Sequence, residues 1–131
     1  MIAVTELRQM ANARLEDARA LRNAERYDAS MYLCGYAVEL ALKARICETL
    51  NWGEFPEKSG EFRNYQSLQT HNLDVLLDFT GIQGRVNAVY AETWKYLKDW
   101  GPNWRYLPVD SADEHTCLEM LDAVEILLEV I

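Results

Sequence analysis

Residues 27–50 read YDASMYLCGYAVELALKARICETL, and from Met31 to Leu42 every residue except Glu39 is apolar, aromatic or small. At 3.6 residues per turn such a run points apolar side chains in every direction, which predicts a helix packed on several sides. Glu39, Lys43 and Arg45 fall inside the window, and it is too short for a membrane span. Gly35 sits in mid-helix at a cost of roughly 1 kcal/mol relative to Ala. Close approach of another backbone is the expected return. Glu39 precedes Lys43 by four positions, the arrangement for an ion pair along one face.

Working outward, MIAVTELRQMANARLEDA at the start has charges from Glu6 and no unbroken apolar core, so no leader segment is expected. Thr5 is expected to cap a first helix reaching about Asn23, with Leu7, Met10, Ala11, Ala18 and Leu21 on one side. The short link Asn23–Arg26 makes helices one and two antiparallel neighbours. Asn51 to Gln69 holds Gly53, Pro56 and Gly60 and reads as a loop, with Trp52 and Phe55 folded back on the core. Thr70 is expected to cap a third helix from His71 to Phe79, ended by Gly81. Arg85–Trp100 reads as one fourth helix. Ser111 and Glu114 have the spacing of a capping box for a last helix. There Cys117, Leu121, Val124, Leu128 and Ile131 repeat as a two-heptad seam.

No sustained alternation and no Asn-Gly or Asp-Gly turn marks a strand. The expected architecture is all-α: an antiparallel up-and-down bundle of four to five helices in a single domain over residues 1–131.

The 131 residues carry a net charge of −8, which speaks against a general binder of phosphate backbones. The acidity is uneven: residues 110–131 hold seven acidic side chains and no Lys or Arg. Cys34, Cys47 and Cys117 form no CxxC pair, and buried free thiols in a reducing cytoplasm are the expectation. His71 and His115 belong to no cluster with metal-ligand spacing, so neither metal nor cofactor is expected. Gly81–Gly84 has the letters of a GxxG loop without its strand context.

GYAVELALKA at Gly35–Ala44, preceded by RYDASMYL at Arg26–Leu33, resembles the second helix of the HEPN family. ARLEDARAL at Ala13–Leu21, THNLDVLL at Thr70–Leu77 and WGPNWRY at Trp100–Tyr106 follow the family's order. The resemblance implies a bundle that dimerises around a polar cleft, often beside a minimal nucleotidyltransferase in a toxin–antitoxin setting. Members that cleave RNA carry an Arg, four to six residues, then a His near the start of the last long helix. Here Arg63 and His71 are separated by seven residues and Arg105 and His115 by nine, with Pro108 between. The expectation is therefore a non-catalytic module. Two alternatives stay open: a metal-independent ribonuclease using Arg105 and His115, and an interaction module using its acidic last helix.

The positions matching recurrent family residues are Glu39, Lys43, His71, Arg105 and Tyr106. The resemblance makes them candidate ligand contacts for a nucleotide or RNA-like anion, since guanidinium, ammonium and imidazole groups suit phosphate. Arg105 is expected beside Glu39, either at the ligand site or as a buried structural pair with His71 capping helix three. Trp94, Trp100, Trp104 and Tyr106 could stack bases or fill the core. The expected protein is a cytoplasmic homodimer.

Overall fold

The computed structural model describes all 131 residues, and it is an all-α bundle. Three long helices carry it: α1 (Val4–Asn23), α2 (Tyr27–Leu50) and, closing the chain, α6 (Glu114–Val130). Between α2 and α6 lie the short helices α3 (Leu73–Phe79), α4 (Gln83–Val89) and α5 (Ala91–Trp94), with 3-10 turns before α3 and after α5.

Helix α2 is central, as its composition requires. All of Ala37–Leu42 is buried, because α1 and α6 cover it lengthwise and α3 covers its C-terminal half. Asn51 ends it in the left-handed conformation (φ 57°), and the Trp52 amide returns to the Cys47 carbonyl at 2.8 Å. That is how an Asn just past a helix satisfies its last carbonyls. Helix α1 contributes Leu7, Ala11, Leu15 and Ala18 at helical spacing. Buried Ser30 joins the three long helices. Its hydroxyl donates to the Ala18 carbonyl at 2.6 Å and accepts from the Cys117 thiol at 3.3 Å.

Several expected boundaries move. Ala3 rather than Thr5 precedes α1, Asn72 rather than Thr70 caps α3, and Asp113 rather than Ser111 caps α6. Asn72 and Asp113 cap through their side chains, whereas Ala3 has no capping side chain and α1 starts where the β1 pairing ends. Ile2–Ala3 (β1) pairs antiparallel with Glu54–Phe55 (β2), strands too short to leave an alternation signal. This pairing seats Phe55 in the core, and Phe62 and Leu68 of the same connection join it.

The single helix expected over Arg85–Trp100 is broken at Tyr90, whose ψ of 22° leaves the helical region. Val86, Val89, Tyr90, Thr93 and Trp94 are all weak helix formers, so little local preference opposes the break. The break lets Val86, Trp94 and Leu97 all reach the core while Val89 stays exposed. Along α6, Cys117, Leu121, Val124 and Ile131 of the seam are buried, together with Met120, Ala123 and Leu127. Leu118 and Ile126 face outward.

Candidate functional site

The five candidate ligand contacts fall into two separate places. Glu39 lies on the buried face of α2 with only 2% of its surface exposed. Its Oε2 accepts from Lys43 Nζ at 2.9 Å, one turn further on, and its Oε1 meets His71 Nδ1 at 3.0 Å. A buried carboxylate requires such partners, since an unpaired charge away from water costs several kcal/mol. Lys43 Nζ also stands 5.5 Å from the centre of the Phe55 ring. With the carboxylate at Nδ1, that nitrogen carries the hydrogen, and Nε2 is left as the ring's outer nitrogen. A small cavity of about 240 Å³ opens beside the three, walled by Tyr36, Phe62 and Leu68.

His71 does not cap α3. Asn72 Oδ1 does so, accepting from the Asp74 and Val75 amides at 3.0 and 3.2 Å. His71 instead ties the connection before α3 to the middle of α2.

Arg105 is not a partner of Glu39. It belongs to the 3-10 turn Pro102–Tyr106, where its Nε donates to the Pro102 carbonyl at 3.0 Å. Its guanidinium carbon stands 5.6 Å from the centre of the Tyr106 ring, and Tyr106 is 82% exposed. The turn packs on α2 near Tyr32, seven residues and about 10 Å of helix before Glu39. Its anchor is Trp100, which lies against Gly35, donates from Nε1 to the Tyr32 carbonyl at 3.1 Å and stacks on the Tyr32 ring at 5.9 Å. The close approach expected at Gly35 is thus made by an indole ring, not by a backbone. Trp94 is core as well, its Nε1 bonded to Asp74 Oδ1 at 2.8 Å.

Arg105 borders a groove of about 590 Å³ between the start of α2, this turn and the segment leading into α6. Tyr32 and Trp104 supply aromatic walls, Met31, Leu107 and Val109 supply apolar ones, and Thr116 adds a hydroxyl. A mostly apolar concavity with one cation at its edge suits a ligand with a flat body and a single anionic group. Trp104 Nε1 is occupied by the Asp99 carbonyl at 3.0 Å and Arg105 Nε by Pro102, which leaves the two terminal guanidinium nitrogens for a bidentate contact. Asp28 also lines the groove, its carboxylate accepting from the Asp110 and Ala112 amides at 2.7 Å, and neither it nor Tyr32 stands out as a site residue in the sequence. The available signal was an acid and an aromatic one turn apart at the open end of α2.

The remaining reactive groups are quiet. His115, on the first turn of α6, pairs with Glu119 and does not line the groove. All three thiols are buried and free. Burial pushes Cys34 and Cys117 upward and raises Cys47 to about 11, so none is a ready thiolate. No three His, Cys, Asp or Glu side chains are grouped to hold a metal ion. No helix is long and apolar enough to cross a membrane.

Comparison with known proteins matches residues 4–60 to the family model described as the HEPN domain. No curated protein and no solved structure matches the chain. The match spans α1, α2 and β2, which supply Glu39, Lys43 and one wall of the groove, while His71 and Arg105 lie outside it. Over residues 4–60, somewhat less than half of its length, the chain is similar to the HEPN domain family.

Proposed function

We propose that this chain is a non-catalytic HEPN protein, a single helical domain over residues 1–131 that works as a homodimer. It holds a nucleotide or RNA-like anionic ligand in the groove beside Arg105, in a toxin–antitoxin setting with a minimal nucleotidyltransferase as partner. The observation that carries the ligand reading is the free end of the Arg105 guanidinium at the edge of the groove walled by Tyr32 and Trp104. A base stacks on aromatic faces at about 1–3 kcal/mol, and a bidentate guanidinium fixes a phosphate.

On this reading the five candidate residues divide their work. Arg105 and Tyr106 contact the ligand. Glu39, Lys43 and His71 form a second polar site that holds the connection before α3 in place. The dimer reading draws on exposed Tyr106, Leu107, Val109, Leu118 and Ile126, more apolar surface than the bundle itself consumes. Light scattering at micromolar concentration is expected to give twice the 15.2 kDa chain mass. A mass of one chain would remove the homodimer.

Tryptophan fluorescence tests the ligand. Titration with 5′-phosphorylated pentauridylate and with 5′-AMP is expected to quench Trp104 saturably, and the unphosphorylated counterparts to bind at least tenfold more weakly. Equal binding with and without the phosphate would take the anion out of the reading. Incubation of single-stranded RNA with the protein in EDTA is expected to leave it intact. Cleavage abolished by His115→Ala would restore the ribonuclease alternative.

A further inference from the structure

We propose that Leu107–Ala112 is a hinged wall of the groove and that Asp28 is the positioning residue that latches it closed. This inference rests on the groove reading above. The segment supplies Leu107, Val109, Ser111 and Ala112 to the groove lining, so the cavity exists only while the segment stays in place.

Its hydrogen bonds can be accounted for one by one. The Leu107 amide returns to the Trp104 carbonyl of the preceding turn at 3.3 Å, and Pro108 has no amide hydrogen. Ser111 donates its hydroxyl to the Pro108 carbonyl within the segment at 2.5 Å. The bonds that reach across to another element are two. The Asp110 amide donates to Asp28 Oδ2 and the Ala112 amide to Asp28 Oδ1, both at 2.7 Å. One carboxylate on the first turn of α2 therefore holds the whole segment against the bundle.

Little else retains it. Val109 is 87% exposed and Leu107 about half, so burial contributes weakly. Asp110 sits at φ 65°, a left-handed turn conformation that Asp tolerates better than most non-glycine residues. The Asp28 latch is the contact from another element that reaches this turn. The ends are fixed differently: Trp104 is tied to Asp99, and Asp113 caps α6 through the Thr116 amide at 2.8 Å. A span between two anchored ends, held by one side chain, has the parts of a gate whose closed state retains a bound ligand.

The test uses the full chain with dye-labelled, 5′-phosphorylated pentauridylate as probe and reads its release rate by stopped flow. Amide exchange at Asp110 and Ala112 is followed in parallel, and thermal melting verifies that the variants fold. Asp28→Ala is expected to speed release at least fivefold and to expose both amides. Asp28→Asn, which keeps one acceptor oxygen, should fall between it and the wild type, and it serves alone should Asp28→Ala fail to fold. Removing a carboxylate beside an anion would by electrostatics alone slow release, so faster release reports the wall and not the charge. Faster amide exchange with an unchanged or slower release rate would overturn the latch and leave the groove reading standing. No binding of the probe to the wild type would overturn both.

Discussion

Trp100 occupies the space that a side chain on Gly35 would need: a Cβ built there overlaps the indole at Cε2, Nε1 and Cδ1. This contact sets the Pro102–Tyr106 turn on α2 and thereby aims Arg105 at the groove. Gly35→Ala would gain roughly 1 kcal/mol of helix propensity. Forcing the ring away costs about 1–3 kcal/mol or more, and also weakens the bond from Trp100 Nε1 to the Tyr32 carbonyl. The expected outcome is net destabilisation by chemical denaturation, with loss of the Tyr32–Trp100 stacking signal in near-ultraviolet circular dichroism. A more stable Gly35→Ala protein would show that the ring is held by something else.

Glu39→Ala leaves the Lys43 ammonium facing an apolar wall and frees His71 from α2. Breaking a buried ion pair costs on the order of 3–5 kcal/mol. Lys43 retains some contact with water, so a loss of about 3 kcal/mol in urea unfolding is expected. Glu39→Gln, which can still accept from His71, should lose less. A loss below about 1 kcal/mol for Glu39→Ala would class the pair with exposed surface bridges.

These two positions also mark what was legible in the sequence. The bounds of α2 follow from its run of apolar and small residues with polar flanks, and the all-round burial follows with them. The Glu39–Lys43 pair is written in their spacing of four. The place of Arg105 is not. It depends on which side of Gly35 the Trp100 ring packs, a choice made by tertiary contacts among residues that any helical pattern would equally accommodate. Positional matching to the family set Arg105 beside Glu39, whereas the turn that carries it docks two helical turns earlier. The helix starts slipped for a related reason: Thr5, Thr70 and Ser111 are competent caps, but competent neighbours or a paired strand decide the first turn.

The thiols give a dependence on pH. Cys47 is fully buried, and burial together with the nearby Glu48 carboxylate raises its thiol from 9.0 to about 11. Because the folded value lies above the unfolded one, the folded state holds the proton more tightly between them. The stability this contributes is fully present below pH 9 and is lost as pH rises from about 9 to about 11. The slope is at most about 1.4 kcal/mol per pH unit for each thiol. Denaturation midpoints measured from pH 8 to pH 11 should fall, and Cys47→Ala should flatten that fall. An identical decline in Cys47→Ala would assign it to other groups.

The central claim is that the Arg105 guanidinium receives the anionic group of a ligand lying in the Tyr32–Trp104 groove. Isothermal titration of 5′-phosphorylated pentauridylate into the wild type, Arg105→Gln and Lys98→Gln tests it most directly. Lys98→Gln removes the same charge from an exposed position outside the groove. Loss of a charge-assisted contact worth about 1.5–3 kcal/mol is a weakening of roughly 10- to 100-fold. The account predicts that weakening for Arg105→Gln and less than a threefold change for Lys98→Gln. Equal weakening in both variants, or none in Arg105→Gln, would contradict it.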